Sequence, residues 1–499
     1  MSGRAFLGVD IGTSSSKGVL VDEDGRLLAS AVREHEVSRP RPGHVEMDGE
    51  LWWTEFRELA AELTAASGVT VAAVGVSGMG PCVLLTDEDD RPLRPAILYG
   101  VDTRAATQIE ELTAELGGAD AILERCGSVL SSQAVGPKLR WVADREPEVW
   151  RRARRLFMPA SWLVRRLTGA YTLDYHSASQ CTPMFDLGAV DWYRPWAERV
   201  APDLELPPLA WSDQVAGTTR EPVAGIPAGT PVITGTIDAW TEAVSVDAQN
   251  PGDLMLMYGT TMFLIATVER PLRTPSMWGT VGAFRGSHNL AGGMATSGAI
   301  TTWLRDLAGA DYATLLAEAE ESGPGARGLL MLPYFAGERT PLQDPDARGV
   351  VAGLTLSHTR GDLYRAALEA TALGVRHNVE ALRDAGAPVD RVVAVGGGTR
   401  GGLWTRIVSD VTGLPQVIPA TTIGAAYGAA HLAARTTVAA DIAAWNPPAE
   451  TITPDPAQRA GYDELYALYR ELYPATRTIA HALAARQRTP ASPPSEETP

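Results

Sequence analysis

The chain has 499 residues, 45% of them hydrophobic and 21% charged, so it can build sizeable cores in about two to four domains. Asp plus Glu (60) exceed Lys plus Arg (43) by 17, which argues against a nucleic-acid partner or a polybasic membrane anchor. The N-terminus lacks a signal-peptide pattern, and the longest apolar stretch, 254–267, is shorter than the roughly 20 residues of a membrane helix. Three scattered cysteines indicate neither a disulfide framework nor a cysteine zinc site. We therefore expect a cytoplasmic protein.

Two segments share one pattern: an apolar strand, a turn of glycine and hydroxyl residues, and a second apolar strand. The first spans residues 6–22 and the second spans residues 253–267. This pattern fits the duplication of one domain, although two unrelated hairpins would produce it equally well.

Between and after these hairpins, strands alternate with helices, which predicts α/β layers. We expect helices over 50–66, 103–116 and 159–167, and strands over 69–76, 97–99 and 231–234. Turn-forming residues at 247–252 indicate a domain boundary. A long helix is predicted to begin near Asp362, with Thr359 as its capping partner. Residues from 486 onward are rich in Pro, Ser, Thr and Glu, which predicts a disordered tail.

The turn of the first hairpin combines residue types that can bind phosphate. Its backbone amides and hydroxyls can surround phosphate oxygens, Lys17 can add a positive charge, and Asp10 can hold a hydrated Mg²⁺. An ordinary hairpin with a surface lysine is the alternative. The Walker pattern Gly-x-x-x-x-Gly-Lys-[Ser/Thr] is missing, so this is not a Walker-type loop.

A glycine-rich turn follows the predicted strand at 392–395. Gly396, Gly398 and Gly401 formally satisfy the dinucleotide pattern, but residues 411–439 contain no Asp or Glu to bind a ribose. A glycine shelf under a nucleotide and a plain strand-to-helix turn both remain open.

Asp238 follows a strand and a Gly-Thr turn, just before a helix. A carboxylate in this position is often a helix N-cap. It can equally serve as a general base at the edge of a cleft. The local pattern allows both roles.

Several segments in order resemble the FGGY family of carbohydrate kinases, within the actin/hexokinase/heat-shock ATPase superfamily. Residues 349–354 (Gly-Val-Val-Ala-Gly-Leu), seven further residues, and 362–369 (Asp-Leu-Tyr-Arg-Ala-Ala-Leu-Glu) fit the family's C-terminal signature. The N-terminal signature is partly kept: 138–142 (Lys-Leu-Arg-Trp-Val) is present, but Val135 stands where Pro, Ser or Thr is usual.

The resemblance implies two actin-like (ribonuclease H-like) α/β domains that flank a deep cleft. Residues 1–248 would form the sugar-binding domain, 249–485 the ATP-binding domain, and 486–499 the disordered tail. The implied cofactors are ATP and Mg²⁺, the implied substrate is a small sugar or polyol, and family habit suggests a homodimer.

The resemblance also implies roles for individual residues. Asp238 would be the catalytic base, ionised at neutral pH with an ordinary pKa near 4. Asp10 would hold Mg²⁺. The residues implied to bind the nucleotide are Gly12, Thr13, Ser14, Ser15, Lys17, Gly259, Thr260, Thr261, Gly397, Gly398 and Thr399.

The implied sugar site departs from the xylulose kinases of the family, which carry Met-His-Gly and Trp-Asn-Asp-x-Arg. Here the matching residues are Met-Gly-Pro at 79–81 and Gly-Val-Asp-Thr-Arg at 100–104. Losing His and Trp predicts a wider pocket with fewer hydrogen-bonding groups and a changed specificity. D-xylulose is the best single substrate, while other ketoses, polyols such as erythritol, and larger sugars stay open. The residues implied to contact the substrate are Met79, Gly80, Asp102, Arg104 and Asp238.

Each of these roles has an alternative. Asp102 could instead cap a helix that begins at Thr103. The whole chain could be a non-catalytic sugar sensor on the same fold, or a chaperone-like ATPase that hydrolyses ATP without a sugar. The presence of Asp10, Lys17 and Asp238 argues against a sensor, and the C-terminal signature argues against a chaperone.

Overall fold

The structure is a computed structural model that describes residues 4–488. Its first half contains a seven-stranded sheet, several two-stranded pairings and nine helices among the described residues. The strands are β1 Arg4–Ile11, β2 Ser15–Val21, β3 Leu27–Glu34, β4 Glu46–Met47, β5 Thr70–Gly78, β6 Leu84–Thr86, β7 Ala96–Ile97, β8 Arg155–Phe157, β9 Leu173–Asp174, β10 Phe185–Asp186, β11 Asp191–Trp192, β12 Leu209–Ala210, β13 Val215–Thr218, β14 Pro231–Ile233 and β15 Thr236–Ile237. The helices are α1 Gly49–Ser67, α2 Ala106–Glu115, α3 Ala119–Cys126, α4 Val135–Arg145, α5 Pro147–Arg152, α6 Pro159–Thr168, α7 Tyr175–Ser179, α8 Arg194–Val200 and α9 Asp238–Ser245.

The second half contains another seven-stranded sheet, with helices around it. The strands are β16 Asp253–Tyr258, β17 Met262–Val268, β18 Trp278–Val281, β19 His288–Met294, β20 Leu330–Leu332, β21 Val350–Ala352, β22 Arg391–Val395, β23 Gln416–Pro419 and β24 Pro448–Ile452. The helices are α10 Gly298–Ala308, α11 Tyr312–Ser322, α12 Arg360–Asp384, α13 Leu403–Thr412, α14 Ala425–Ala434, α15 Ile442–Trp445 and α16 Arg459–Arg488.

The two large sheets share one strand plan. The first has the order β13-β14-β5-β1-β2-β3, and the second has the order β24-β23-β22-β16-β17-β19, extended by β18. In each sheet the central strand pairs antiparallel with its hairpin partner and parallel with the next strand, β5 or β22. The repeated order supports the duplicated domain over two unrelated hairpins, and the predicted α/β architecture is confirmed.

Most predicted helices occur close to their expected bounds, including α1, α6 and α12. The predicted cap of α12 is confirmed: the Thr359 hydroxyl accepts from the Asp362 amide, and the Asp362 carboxylate accepts from the Thr359 amide. The helix expected from residue 103 begins only at Ala106. Helix α16 includes the first three residues of the predicted tail, and 489–499 lie outside the described residues.

Helix α14 comes from the C-terminal half of the sequence but packs on the first sheet and on α9. Glycines make this approach possible. A Cβ added to Gly8 or Gly75 would overlap the carbonyl oxygen of Ala426 or Ala429 in α14. A Cβ on Gly428, within α14, would overlap the carbonyl oxygen of Thr241 in α9. The two halves are therefore joined by backbone-to-backbone packing.

Among residues 4–488, no helix is both long enough and apolar enough to span a bilayer.

The glycine contact of α14 yields a stability prediction. We expect Gly428→Ala to lower the free energy of unfolding by about 1–3 kcal/mol, because the new methyl group must displace the backbone of α9. Gly461→Ala is the matched helical control: Gly461 is exposed, with nothing near its added Cβ, so this change should be neutral or slightly stabilising. Denaturant unfolding measures both, and equal stability of the two variants would contradict the packing argument.

Candidate active site

A cavity of about 320 Å³ is lined by residues from both large sheets and from the first turns of α9 and α14. Asp10 of β1 and Lys17 of β2 lie on one side, directly opposite each other in the strand register. Asp238 and Glu242 of α9 line the same cavity, and so does Thr261 from the second hairpin. The fold thus brings together charged residues that are more than 200 positions apart in the sequence.

The first hairpin turn joins β1 to β2 next to this cavity. The Gly12 amide donates to the Ser15 carbonyl oxygen at 3.1 Å, and a Cβ on Gly12 would lie 2.7 Å from that oxygen. The Thr13 hydroxyl contacts the Tyr99 hydroxyl at 3.0 Å and the Met79 sulfur at 3.6 Å. Because Met79 and Tyr99 line the cavity, Thr13 connects the predicted phosphate turn to the predicted sugar side.

The second hairpin turn has a similar form and is anchored by α10. The Gly259 amide donates to the Thr261 carbonyl oxygen at 3.1 Å, and the Gly298 amide donates to the Gly259 carbonyl oxygen at 3.0 Å. Gly397, Gly398 and Thr399 follow β22, and a Cβ on Gly398 would lie 2.9 Å from Tyr258 at the end of β16, the strand that leads into this turn. Residues 397–399, although described, lie outside the cavity lining, so their contact with adenosine stays a prediction.

Asp238 is the first residue of α9, while Ile237 occupies the N-cap position. The Asp238 Oδ1 atom accepts from the Ala239 amide at 2.7 Å, which orients the carboxylate. Glu242 lies one helical turn further along, where residues four apart share a face. The sequence analysis missed Glu242, although this spacing from Asp238 could have revealed it.

The three carboxylates of the cavity hold a proton more tightly than isolated side chains do. Burial raises the pKa of Asp10 to about 6, although the Ser77 hydroxyl (2.8 Å from Oδ1) and Lys17 act in the opposite direction. Loss of hydration, followed by repulsion from Asp10, raises the pKa of both Asp238 and Glu242 to about 7. The expectation of an ordinary pKa for Asp238 was therefore wrong, because the fold buries this carboxyl group and, to a smaller extent, places other acids near it.

The excess of negative charge is consistent with a bound divalent cation. After burial, repulsion from Asp10 is the next cause that raises the pKa of Asp238 and Glu242, and a cation would relieve that repulsion. In the described part of the chain, no three His, Cys, Asp or Glu side chains are grouped as ready metal ligands. Mg²⁺ commonly uses one or two carboxylates and completes its shell with phosphate oxygens and water. Asp10 therefore fits a Mg²⁺ site that forms together with the nucleotide.

The predicted sugar residues divide into two groups. Met79 and Gly80 line the cavity. Asp102 and Arg104 do not, because their side chains are fully buried in an ion pair of 2.7 Å. The Arg104 guanidinium also binds Glu46, and Asp102 accepts from a backbone amide at 2.6 Å. Asp102 is not the cap of α2 either, since Ala105 holds that position. Neither Asp102 nor Arg104 lines the cavity, and the structure therefore does not support their predicted contact with the substrate, which stays a prediction.

The pocket is not widened at the two glycines that replace His and Trp. A Cβ on Gly80 would lie 2.6 Å from Ile237, whose side chain fills that space. At Gly100, the Gln133 carboxamide accepts from the backbone amide and occupies the position where a side chain would begin. Gln133 also lines the cavity, so a hydrogen-bonding group is present there. The prediction of a wider pocket was wrong at these positions, because side chains from elsewhere in the sequence occupy the space.

Comparisons with known proteins show which family the chain resembles. The N-terminal domain of the FGGY family of carbohydrate kinases matches residues 5–245, and its C-terminal domain matches residues 254–437. Xylulose kinase from Escherichia coli (strain K12) is 31% identical over 441 residues, covering 86% of this chain and 89% of that protein. Glycerol kinase from Nocardia farcinica (strain IFM 10152) is 33% identical over 462 residues, covering 85% and 89%.

A solved structure shows the same similarity. The crystal structure of xylulose kinase from Rhodospirillum rubrum has a TM-score of 0.89 at 34% identity and covers 96% of this chain and 100% of that chain. The boundary predicted at residue 248 lies between the two matched domains. The matched domains span most of the sequence and each contains most of one of the two large sheets with its hairpin. This chain therefore belongs to the FGGY family of carbohydrate kinases and is a phosphotransferase that uses ATP.

Proposed function

We propose that the enzyme transfers the γ-phosphate of ATP to a primary hydroxyl of a ketose or polyol, with D-xylulose as the first substrate to test. The observation that carries this proposal is that Asp238 lines one cavity together with the carboxylates of Asp10 and Glu242 and with the predicted sugar residues Met79 and Gly80. Xylulose kinases and glycerol kinases are similar to the chain to nearly the same degree, which supports an acceptor of either class.

In the proposed mechanism, Asp238 accepts the proton of the acceptor hydroxyl as its oxygen attacks the γ-phosphate in line. The amide of Ala239 holds one carboxylate oxygen and so fixes the direction of the base. A pKa raised to about 7 makes Asp238 a stronger base than an ordinary aspartate, provided that it is deprotonated when the acceptor binds.

The two hairpin turns and Lys17 would bind the phosphates of ATP. Their backbone amides offer fixed donors, and Lys17 lies directly across from Asp10. Asp10 would hold Mg²⁺, which when bound supplies positive charge to the phosphate oxygens. Positioning of the two substrates and exclusion of water from the cavity would provide much of the remaining rate acceleration.

A buried hydrogen-bond network joins His35 and Glu55 to the first hairpin turn. The His35 ring contacts two partners: Nε2 lies 3.1 Å from the Gly12 carbonyl oxygen, which can only accept, and Nδ1 lies 3.0 Å from the Glu55 carboxylate. Glu55 also accepts from the Ser16 hydroxyl at 2.5 Å. Both His35 and Glu55 have side chains less than a tenth exposed. This network holds Gly12 and Ser16 on the two sides of the turn.

We expect Glu55→Ala to raise the KM for ATP about tenfold while changing the KM for the acceptor little, because the turn loses its support and its amides lose their alignment. Glu58→Ala is the matched control on the same helix, since Glu58 is exposed and pairs with Arg33 at the surface. Steady-state kinetics with each substrate varied in turn provides the measurement. Equal KM values for ATP in the two variants would show that the network is merely structural.

Asp238→Asn should separate catalysis from stability. Turnover is expected to fall about 10²- to 10⁴-fold, because the amide cannot accept the proton. The folded-state pKa of Asp238 lies above its unfolded value, so the charged carboxylate destabilises the folded protein. This destabilisation is absent below about pH 4 and complete above about pH 7. Removing that charge should stabilise the protein at pH 8 by roughly 1–2 kcal/mol, discounted because the side chain is half-buried, and the gain should shrink toward pH 5.

Thermal unfolding at pH 5 and pH 8, together with an assay of ADP release, tests both parts of the Asp238 prediction. If Asp238→Asn turned over as fast as the wild-type enzyme, Asp238 would not be the catalytic base. A variant less stable than wild type at pH 8 would contradict the repulsion among the three carboxylates.

A coupled ADP-release screen over ketoses, polyols and aldoses tests the acceptor. We expect ADP release that depends on the acceptor, with D-xylulose or a related ketose or polyol among the active compounds, and none with Asp238→Asn. Sugar binding without ATP consumption across the panel would favour a non-catalytic sensor. ATP hydrolysis independent of any acceptor would favour the chaperone-like alternative.

A further inference from the structure

The second sheet presents an apolar strand face to the cavity, with two polar residues in it. Thr280 of β18 and Asn289 of β19 are direct cross-strand partners. Both line the cavity, and the other lining residues from this sheet face are apolar. These neighbours are Phe263, Ile265, Trp278 and Ala291.

Neither polar side chain has a hydrogen-bond partner within the described structure. Asn289 is 1% exposed, and neither its amide nitrogen nor its amide oxygen is bonded. Thr280 is 6% exposed, and its hydroxyl is also unbonded. The two side chains do not bond each other, although they are neighbours. Because an unpaired buried polar group is destabilising, an apolar pair would suit this strand face better unless a ligand completes these bonds.

The chemistry of the pair selects a neutral polar ligand. A carboxamide and a hydroxyl can each donate and accept, but neither carries charge, so they suit hydroxyl or carbonyl groups better than phosphate or carboxylate groups. The flat apolar side chains around them suit the C–H faces of a carbon chain.

The position of this pair is fixed relative to the first half of the molecule. The residues on either side of Thr280 are held by that half: the Gly279 amide donates to the Gly127 carbonyl oxygen at 2.9 Å, and the Val281 amide donates to the Ser179 hydroxyl oxygen at 3.1 Å. The Val281 carbonyl oxygen also bonds His176 at 2.6 Å. Thr280 thus faces the cavity from a strand that is tied to both halves.

We propose that Thr280 and Asn289 form a second acceptor subsite, which binds hydroxyl or carbonyl groups at the end of the acceptor remote from Asp238. The enzyme then prefers acceptors with more than three carbons, since these can place one hydroxyl at Asp238 and others on the opposite sheet. This inference rests on the proposed function and specifies its substrate class.

The test uses Thr280→Val and Asn289→Leu in the full-length protein, which remove the polar groups while nearly keeping the volume. The acceptors are glycerol, erythritol, D-xylulose and sorbitol. For the best acceptor longer than glycerol, we expect each variant to lower kcat/KM about tenfold or more, with the KM for ATP unchanged. Activity toward glycerol should stay constant or rise. The melting temperatures of the variants should not fall, because unpaired buried groups have been replaced by apolar ones.

Thr267→Val is the matched control. Thr267 is fully buried, has an unbonded hydroxyl and pairs with Asn289 across the strands, yet it lies outside the cavity lining. This variant should keep the wild-type preference for acceptor length. The same loss in Thr267→Val as in Thr280→Val would overturn the subsite, as would equal losses toward glycerol and the longer acceptors.

Calorimetry with D-xylulose separates failure of the subsite from failure of the kinase assignment. If no acceptor is phosphorylated but D-xylulose binds wild type and binds both variants about tenfold more weakly, the subsite stands and the proposed function falls. Phosphorylation of glycerol alone, without binding or phosphorylation of any longer acceptor, leaves the kinase function intact and overturns the subsite. Binding and phosphorylation of nothing in the panel overturns both.

Discussion

The approach of helix α14 to the first sheet and to α9 is the constraint on which the active-site geometry depends. Gly8, Gly75 and Gly428 let backbone meet backbone at this seam, where no flexible side chain can adjust the distance. The beginning of α14 consequently lies against Glu242, since a Cβ on Gly424 would be 2.7 Å from its carboxylate. A helix from one half of the chain thereby closes the acidic end of a cavity built by both.

The cavity accumulates negative charge although one of its substrates, ATP, is an anion. Burial raises the pKa of Asp10, Asp238 and Glu242, and repulsion from Asp10 raises the pKa of the other two further, while Lys17 acts in the opposite direction on Asp10 and Glu242. This arrangement is poor for stability, but under the proposed function it would strengthen Asp238 as a base and favour a cation that arrives with the nucleotide. Such a conflict between local stability and function is typical of an active site.

On the predicted acceptor side, the space beside two glycines is filled by side chains from other parts of the chain. Glycine replaces a large side chain at positions 80 and 100, yet Ile237 and Gln133 fill the space from other parts of the chain. The ion pair of Asp102 and Arg104 is buried away from the cavity. Groups available to recognise an acceptor therefore come from segments that a family motif does not mark, such as Gln133 and the strand pair of Thr280 and Asn289.

The sequence by itself determined the features that depend on local patterns and short spacings. These include the two hairpins with their glycine turns, the capping pair of α12, the α/β class, and the place of Asp238 between a strand and a helix. Tertiary structure alone decided the raised pKa of Asp238, the burial of Asp102, and the filling of Gly100 by Gln133. Each of these depends on how much water remains around a group and on which distant side chains reach it, and a linear pattern of residue types carries neither quantity.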